Sequence, residues 1–334
     1  MLFRIILLAL LLSGSLLCEG QSPPAAPAPR SFLEPADSLH PGRFWISAGA
    51  GAAIYSGFSV GLWQVWYRDY ELGPFHLFND WHEWEQMDKM GHFFTAYHES
   101  NWIFTGARWT GMRRRSAMWT GIGAGLLLQS TVEVMDGFSE KWGFSMADMG
   151  FNLLGASLFA AQELCWEEQR IRPKISSSPA PYPSDPVFST DGSEQTTLQA
   201  RADELFGTSF GENFVKDYNA QTIWLSANIH AFLPRRENTR FPRWLNLALG
   251  YGAANMYGGF DNSWTTGQAE FFADPDLYPR YRQFYLSPDI DLSRLPVRSR
   301  LLRTMLGTLN FIKIPAPALE FNTRGKLRFH ALYW

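Results

Sequence analysis

Cysteine is almost missing from this chain. Only Cys18 and Cys165 occur among 334 residues, and Cys18 falls in a leader-like segment. Once that segment is removed a single thiol remains, so no intramolecular disulfide can form even in an oxidising compartment. Stability must then come from packing, and Cys165, flanked by Leu164 and Trp166, reads as an inert core residue. Charge of one sign is also missing. The formal net charge is −3 and no basic stripe is long enough to track a phosphate backbone, which argues against a nucleic-acid partner. No Ser or Cys stands in a recognisable nucleophile elbow. No repeat at a fixed period is present.

What the chain does have is apolar and aromatic bulk, with 16 % aromatic residues, and length enough for one large domain or two ordinary ones. Residues 1–20 read as a secretory signal peptide. Arg4 supplies the positive start, "IILLALLLSGSLL" an apolar core and "CEGQ" the small residues that follow. Cleavage after Gly20 would leave Gln21 first. Cys18 invites lipidation, yet Leu17 precedes it where a lipobox carries a small residue. The apolar core is short for a membrane span, and an uncleaved anchor is the alternative. The expected destination is the periplasm or outer membrane, with the inner membrane as the other possibility.

Residues 21–42 are Pro/Ala-rich and read as an extended linker. Residues 43–172 carry a helical pattern. "FWISAGAGAAIYSGFSVGLWQVWY" is a mostly apolar run with Gly and Ala spaced for close helix contact. "DWHE" offers Asp80 as an N-cap with Glu83 three residues on, opening a second helix. A third runs from about Ser116 to Met135, and "SMAD" opens a fourth with Ser145 and Asp148. Residues 173–217, Pro/Ser-rich at first, read as a linker or strap with weak helicity around "TLQARADELFG". From residue 218 the period changes to two: "TIWLSANIHAF", "WLNLALGYGAANMY", "YRQFYLSPDIDL", "IPAPALEF" and "KLRFHALYW" alternate as strands do. "RSRLLRTMLGTLNF" between them is an amphipathic basic helix. The fold class expected is α+β: a bundle of about four helices at residues 43–172, then a mostly antiparallel β-rich part at residues 218–334.

The first helix is long enough to span a bilayer, and the third and fourth come close. Charge argues otherwise. With the mature N-terminus outside, the loop facing the cytoplasm holds Asp69, Glu71, Asp80, Glu83 and Glu85, and the outward loop holds Arg108, Arg113, Arg114 and Arg115. That reverses the positive-inside bias, and the mean hydropathy of −0.18 is low for a polytopic protein. The closing strand places Leu327, Phe329, Ala331 and Tyr333 on one face and ends on Trp334. Such endings occur in outer-membrane barrels, but five strands cannot close one alone.

Three helical segments carry polar files. Asp88, His92 and Glu99 form the first, with Lys89 beside them; Gln129, Glu133 and Asp136 the second; Asp148, Asn152 and Gly155 the third. Spacings of four, seven and eleven return to one helix face, and buried carboxylates cost free energy unless paired, hydrated or bound. Four readings stay open. The cluster can be capping and pairing alone, which suits Asp148 and Asp136 better than His92 and Glu133. It can hold a divalent ion, though the spacing names none. It can do acid–base chemistry through His92, oriented by Asp88, Glu133 or Asp136. Or it can bind a ligand or partner without chemistry, with Lys89, Glu99, Asp136, Asp148 and Asn152 as contacts.

At these residues the chain resembles a known family. "QMDKMGHFFTAY", "EVMDGFSEKWGFSMADMGFNLLGA" and the closing "LNFIKIPAPALEF…LRFHALYW" resemble the YfiM-like periplasmic or outer-membrane lipoproteins, a family of unknown function. More distantly the chain is similar to VanZ-like helical membrane proteins linked to glycopeptide resistance, which show an Asp-Lys-x-x-His block, a later Glu and an Asp-x-x-x-Asn-x-x-Gly block. Asp88, Lys89 and His92, then Glu133, then Asp148, Asn152 and Gly155 match them here. The resemblance implies a shared polar site and a cell-envelope setting, while the poor lipobox and reversed charge bias depart from the two families respectively. The function expected is a binding or structural module of the envelope. The rival is an enzyme or accessory factor acting on lipid-linked or cell-wall substrates with His92 as acid/base. The cofactor is unknown. A membrane or envelope component is the expected partner, and the β-rich part could receive a protein.

Overall fold

The computed structural model describes residues 32–68, 70–234 and 241–334, without the side chains of residues 65 and 66. The signal peptide, Cys18 and residues 21–31 of the linker lie outside the described residues. The fold is α+β; the described residues form eight α-helices and an antiparallel sheet of six strands.

Helix α1, Pro41–Leu62, starts with proline at its first turn, where the missing N–H costs nothing, and with His40 accepting from Arg43 N at 3.3 Å. It runs on into a π-helical turn, Trp63–Tyr67. Arg43 is buried. Its guanidinium donates to the carbonyls of Glu34 (2.5 Å) and Trp109 (3.1 Å) and lies 4.7 Å from the Trp109 ring centroid. Gly49, Gly51, Gly57 and Gly61 of α1, read as helix-contact positions, have nothing within 4 Å of where a Cβ would sit. Close approach happens elsewhere. Helices α2 (Met87–Trp109), α3 (Arg114–Gly137) and α4 (Met146–Trp166) form the packed unit. A Cβ on Gly121 would come 2.4 Å from the Ser100 carbonyl oxygen, and one on Gly155 2.2 Å from that of Phe93. Tyr97, Phe104, Ala107, Ala117, Met118 and Phe159 fill the core between them. Each large side chain buried there contributes about 1.5–3 kcal/mol before entropy is counted. Among the described residues no helix is long and apolar enough to cross a membrane.

Asp80 is not the cap of α2. Trp84, Glu85 and Gln86 take left-handed backbone angles, the helix begins at Met87, and the Asp80 side chain is free to turn inward. Ser145 does cap α4, its Oγ accepting from Asp148 N at 3.0 Å. Two short parallel pieces, β1 (Leu77–Phe78) and β2 (Phe144–Ser145), tie the approaches to α2 and α4 together. Cys165 is exposed rather than in the core, because it sits on the outer face of α4 beside the exposed Leu164.

Residues 173–177 of the expected linker form a strand together with the two residues before them. Pro173 to Ser177 are buried in a row, and Lys174 and Ser176 among them break any apolar period. This is β3 (Ile171–Ser177). Two small hairpins follow in chain order among the larger strands: β4 (Pro186–Phe188) with β5 (Gln195–Thr197), and β8 (Ser263–Thr266) with β9 (Ala269–Phe272). Helices α5 (Leu198–Phe206) and α6 (Phe210–Lys216) lead to β6 (Gln221–Asn228), and "IHAF" turns out to be a short helix, α7 (Ile229–Phe232), capped by Asn228. The main sheet is completed by β7 (Leu245–Ala254), β10 (Tyr281–Ile290), β11 (Ala316–Asn322) and β12 (Leu327–Tyr333), in the order β12-β11-β10-β7-β6-β3. The basic helix α8 (Arg300–Thr308) lies between β10 and β11.

The polarity of this sheet is inverted. Its buried face holds Thr222, Ser226, Asn246, Ser287, Asp289 and Glu320, with Trp224 and Tyr285 among them. Lys174 Nζ meets Asp289 at 2.8 Å with both side chains fully buried, and Ser226 Oγ donates to the same carboxylate at 2.6 Å. The outward face is apolar. One row crosses five strands as Leu225–Leu249–Leu286–Leu319–Phe329, and a second runs Tyr251–Phe284–Phe321–Leu327. A bulge opposite Ala316–Ala318 turns Tyr333 inward, away from the face of Leu327 and Phe329, so that it stacks 4.5 Å from Tyr285 and bonds to Thr222. The helical unit covers one corner of the apolar face, where Met87 and Phe94 of α2 pack with Ile175, Ile223, Ala253 and Met256.

Candidate functional site

Asp88 and His92 lie one turn apart on α2, so both point at the same neighbours. Asp148 reaches them from the first turn of α4 and Glu133 from the last turns of α3. His92 is the centre. Its Nδ1 bonds to Asn152 Oδ1 at 3.2 Å, so the amide oxygen takes the Nδ1 proton. Nε2 then faces three carboxylate oxygens: Glu133 Oε1 at 3.5 Å, Asp148 Oδ2 at 3.8 Å and Asp88 Oδ1 at 4.0 Å. A neutral imidazole would present a lone pair there to three oxygens. Something must stand between them: a proton, which a carboxyl group could carry, or a metal ion.

Lys89 neutralises the other side. Its ammonium is fully buried and meets Asp80 Oδ2 at 2.5 Å, Asp148 Oδ1 at 2.9 Å and Asp88 Oδ2 at 3.2 Å. Asp80 closes the network by accepting from Ser145 Oγ at 2.6 Å, and Tyr218, from the loop before β6, donates to Asp88 Oδ1 at 2.8 Å. Glu133 is 1 % exposed; its Oε2 accepts from Ser145 N at 3.1 Å while its Oε1 has no hydrogen-bond partner among the described residues, nor has Asn152 Nδ2.

Burial and the crowding of like charges govern the protonation here. Burial pushes Glu133 up to about 8, against the pull of His92. Asp148 rises to about 9 through burial and the repulsion of Asp88. Burial would raise Asp88 and Asp80 as well, but His92 and Lys89 hold the first down, and hydrogen bonds from Asp148, Lys89 and Ser145 the second. Burial opposes the charge on Lys89, and Asp88 and Asp148 outweigh it, so its ammonium is held.

The structure thus brings Asp88, Lys89, His92, Glu133, Asp148 and Asn152 together. Two candidates stand apart. Glu99 lies farther along α2, accepts from Gln129 Nε2 at 2.8 Å and is raised by burial to about 7. Asp136 accepts from Tyr67 Oη at 2.6 Å and is likewise raised by burial to about 7. Sequence reasoning missed the roles of Asp80, read as a cap, and of Tyr218 and Ser145, whose parts are set by contacts 130 and 65 residues away in the chain. No local period could have shown them.

The donor atoms of Asp88, His92 and Asp148 all lie within 4.8 Å of one another. Ligands about 2 Å from one shared ion stand no more than about 4 Å apart, so these side chains would have to draw closer to share one.

Residues 77–162, which hold α2, α3 and most of α4, match a family described as predicted periplasmic lipoprotein. That match covers every residue of the cluster but Tyr218 and supports an envelope setting. No curated protein and no solved structure matches the chain.

Proposed function

We propose that this is an envelope-resident binding protein whose His92 cluster holds a divalent cation. One observation carries the reading: His92 Nε2 faces three carboxylate oxygens at 3.5–4.0 Å while Asn152 anchors Nδ1. Metal-bound histidines are held in this way, with the far ring nitrogen donating to an outer partner. Charge counting agrees. Four carboxylates (Asp80, Asp88, Glu133, Asp148) face Lys89 and an imidazole that must be neutral to bind a metal, leaving three negative charges if all are ionised. A divalent ion offsets two of them; without it the site must take up more protons. Mixed nitrogen and carboxylate donors favour a transition ion such as Zn²⁺ or Mn²⁺ over Ca²⁺. The match to predicted periplasmic lipoproteins supports the setting.

The test is elemental analysis of the purified chain, followed by chelation and refilling with Zn²⁺ or Mn²⁺. About one equivalent of metal is expected, with a melting temperature that rises on refilling and no longer rises in His92→Ala or Glu133→Gln. A folded protein with no metal and no thermal response to millimolar ion would overturn the reading.

A second reading rests on the orientation of the same ring. With Nδ1 held by Asn152, Nε2 is placed to pass a proton, as an enzyme acting on lipid-linked or cell-wall substrates would need. His92→Ala would then abolish function in cells without changing the melting temperature or any bound metal. Variants that merely unfold would leave the cluster with a structural role alone.

A further inference from the structure

We infer that the outward face of the six-stranded sheet is a lipid-contacting surface, seated against the acyl chains of an anionic bilayer. The inference is independent of the cation site. Antiparallel sheets that face water on one side keep apolar residues inside and polar ones out. This sheet does the opposite. Its interior holds the Lys174–Asp289 pair, and outside stand Leu249 at 61 %, Phe321 at 52 % and Phe329 at 68 % exposure. Apolar-out and polar-in is the pattern of strands whose solvent is hydrocarbon. The two rows, one across β6, β7, β10, β11 and β12 and one across the last four of these, form a contiguous apolar patch of a kind that monomers in water rarely keep.

Length fits as well. β7 and β10 have ten residues each, about 33 Å at 3.3 Å per residue, and strands of about 9–11 residues match the hydrocarbon thickness.

Charge selects lipid over a second copy of the chain. From Leu292 to Leu319 the sequence has no acid, and Arg298, Arg300 and Arg303 are exposed there, while Arg294 pairs with Glu168 and Asp291 and Lys313 is buried beside Asp289. Within this stretch α8 exposes Leu301, Leu302 and Met305 beside its arginines, and none of its residues is buried. A short helix with leucines on one face and arginines on the other belongs at the headgroup level. Arg324, Lys326 and Arg328 stand at the opposite end of the sheet, around the β11–β12 turn. Basic groups therefore frame the apolar rows at both ends, as anionic headgroups would require. A two-fold dimer through this face would set like charges against like.

The test is flotation of the exported chain carrying Cys18→Ser, so that no acyl chain can be attached, with phosphatidylglycerol-containing vesicles. Most of the protein should rise with the vesicles, and Leu249→Gln/Leu286→Gln/Leu319→Gln, all exposed positions, should cut the bound fraction at least fivefold while the melting temperature holds. Arg300→Gln/Arg303→Gln should weaken binding to anionic but not to neutral vesicles. The inference fails if the Cys18→Ser chain stays in the soluble fraction, either as a monomer or as a dimer that the triple substitution dissociates. It also fails if the triple variant floats as well as its parent.

Discussion

The ring of His98 is 3 % exposed, and its Nε2–H donates to the Pro173 carbonyl oxygen at 2.8 Å. Burial lowers its pKa from 6.5 to about 3, with Arg172 and Lys174 adding to the effect and the Pro173 bond opposing it. The folded chain therefore keeps this ring neutral where the unfolded chain protonates it. The stability it contributes is present above the unfolded value and is lost as pH falls from about 6.5 toward 3, by up to ~1.4 kcal/mol per pH unit. Urea unfolding at pH 7 and pH 4.5 should show a loss in the parent that is about 2 kcal/mol smaller in His98→Gln, which keeps a donor but does not titrate. Equal losses would mean that His98 is charged in the folded state. Its depth depends on β3, whose sequence does not announce a strand.

At the scale of elements, the packing of α2 against α4 depends on Gly155. A Cβ there would enter the Phe93 backbone carbonyl, and backbone cannot rotate away as a side chain can. Gly155→Val should cost at least ~3 kcal/mol, above the usual range for overpacking. Gly150→Ala, in the same helix but with nothing within 4 Å, should instead stabilise by about 0.5–1 kcal/mol through helix propensity. Urea midpoints of the two variants check both signs. The helices themselves were legible because a 3.6 period and the Ser145 cap are local signals. The convergence of Asp88, His92, Glu133, Asp148 and Asn152 was legible in part, since spacings of four put Asp88 with His92 and Asp148 with Asn152. Which file met which was set by the glycine contacts. Glu99 and Asp136 share those files, but Glu99 pairs with Gln129 two turns beyond His92, and Asp136 is taken by Tyr67.

For the whole molecule, alternation revealed five of the six strands of the sheet but not which side of them faces inward. Period two is the same for a strand with leucines inside and one with leucines outside. Only three-dimensional closure gives the sign, and here it puts Asp289, Lys174 and Lys313 in the interior. Asp289 is the one carboxylate between two ammonium groups, at 2.8 Å from Lys174 and 4.0 Å from Lys313, all with fully buried side chains. Replacing it by asparagine keeps the shape and leaves two cations unpaired, a change that costs about 3–5 kcal/mol when a buried partner is removed. Asp289→Asn/Lys174→Met should recover a good part of that loss, because it removes one of the stranded charges while filling its volume. The recovery is the informative number: a double-mutant cycle on purified protein measures the coupling directly. Coupling below ~0.5 kcal/mol would mean that water reaches the pair and that the polar face is not the inside of this sheet. Strong coupling, together with retained melting on replacing Leu249 and Leu286 by glutamine, would show that this half of the molecule draws its stability from its polar face and leaves its apolar face free for another solvent.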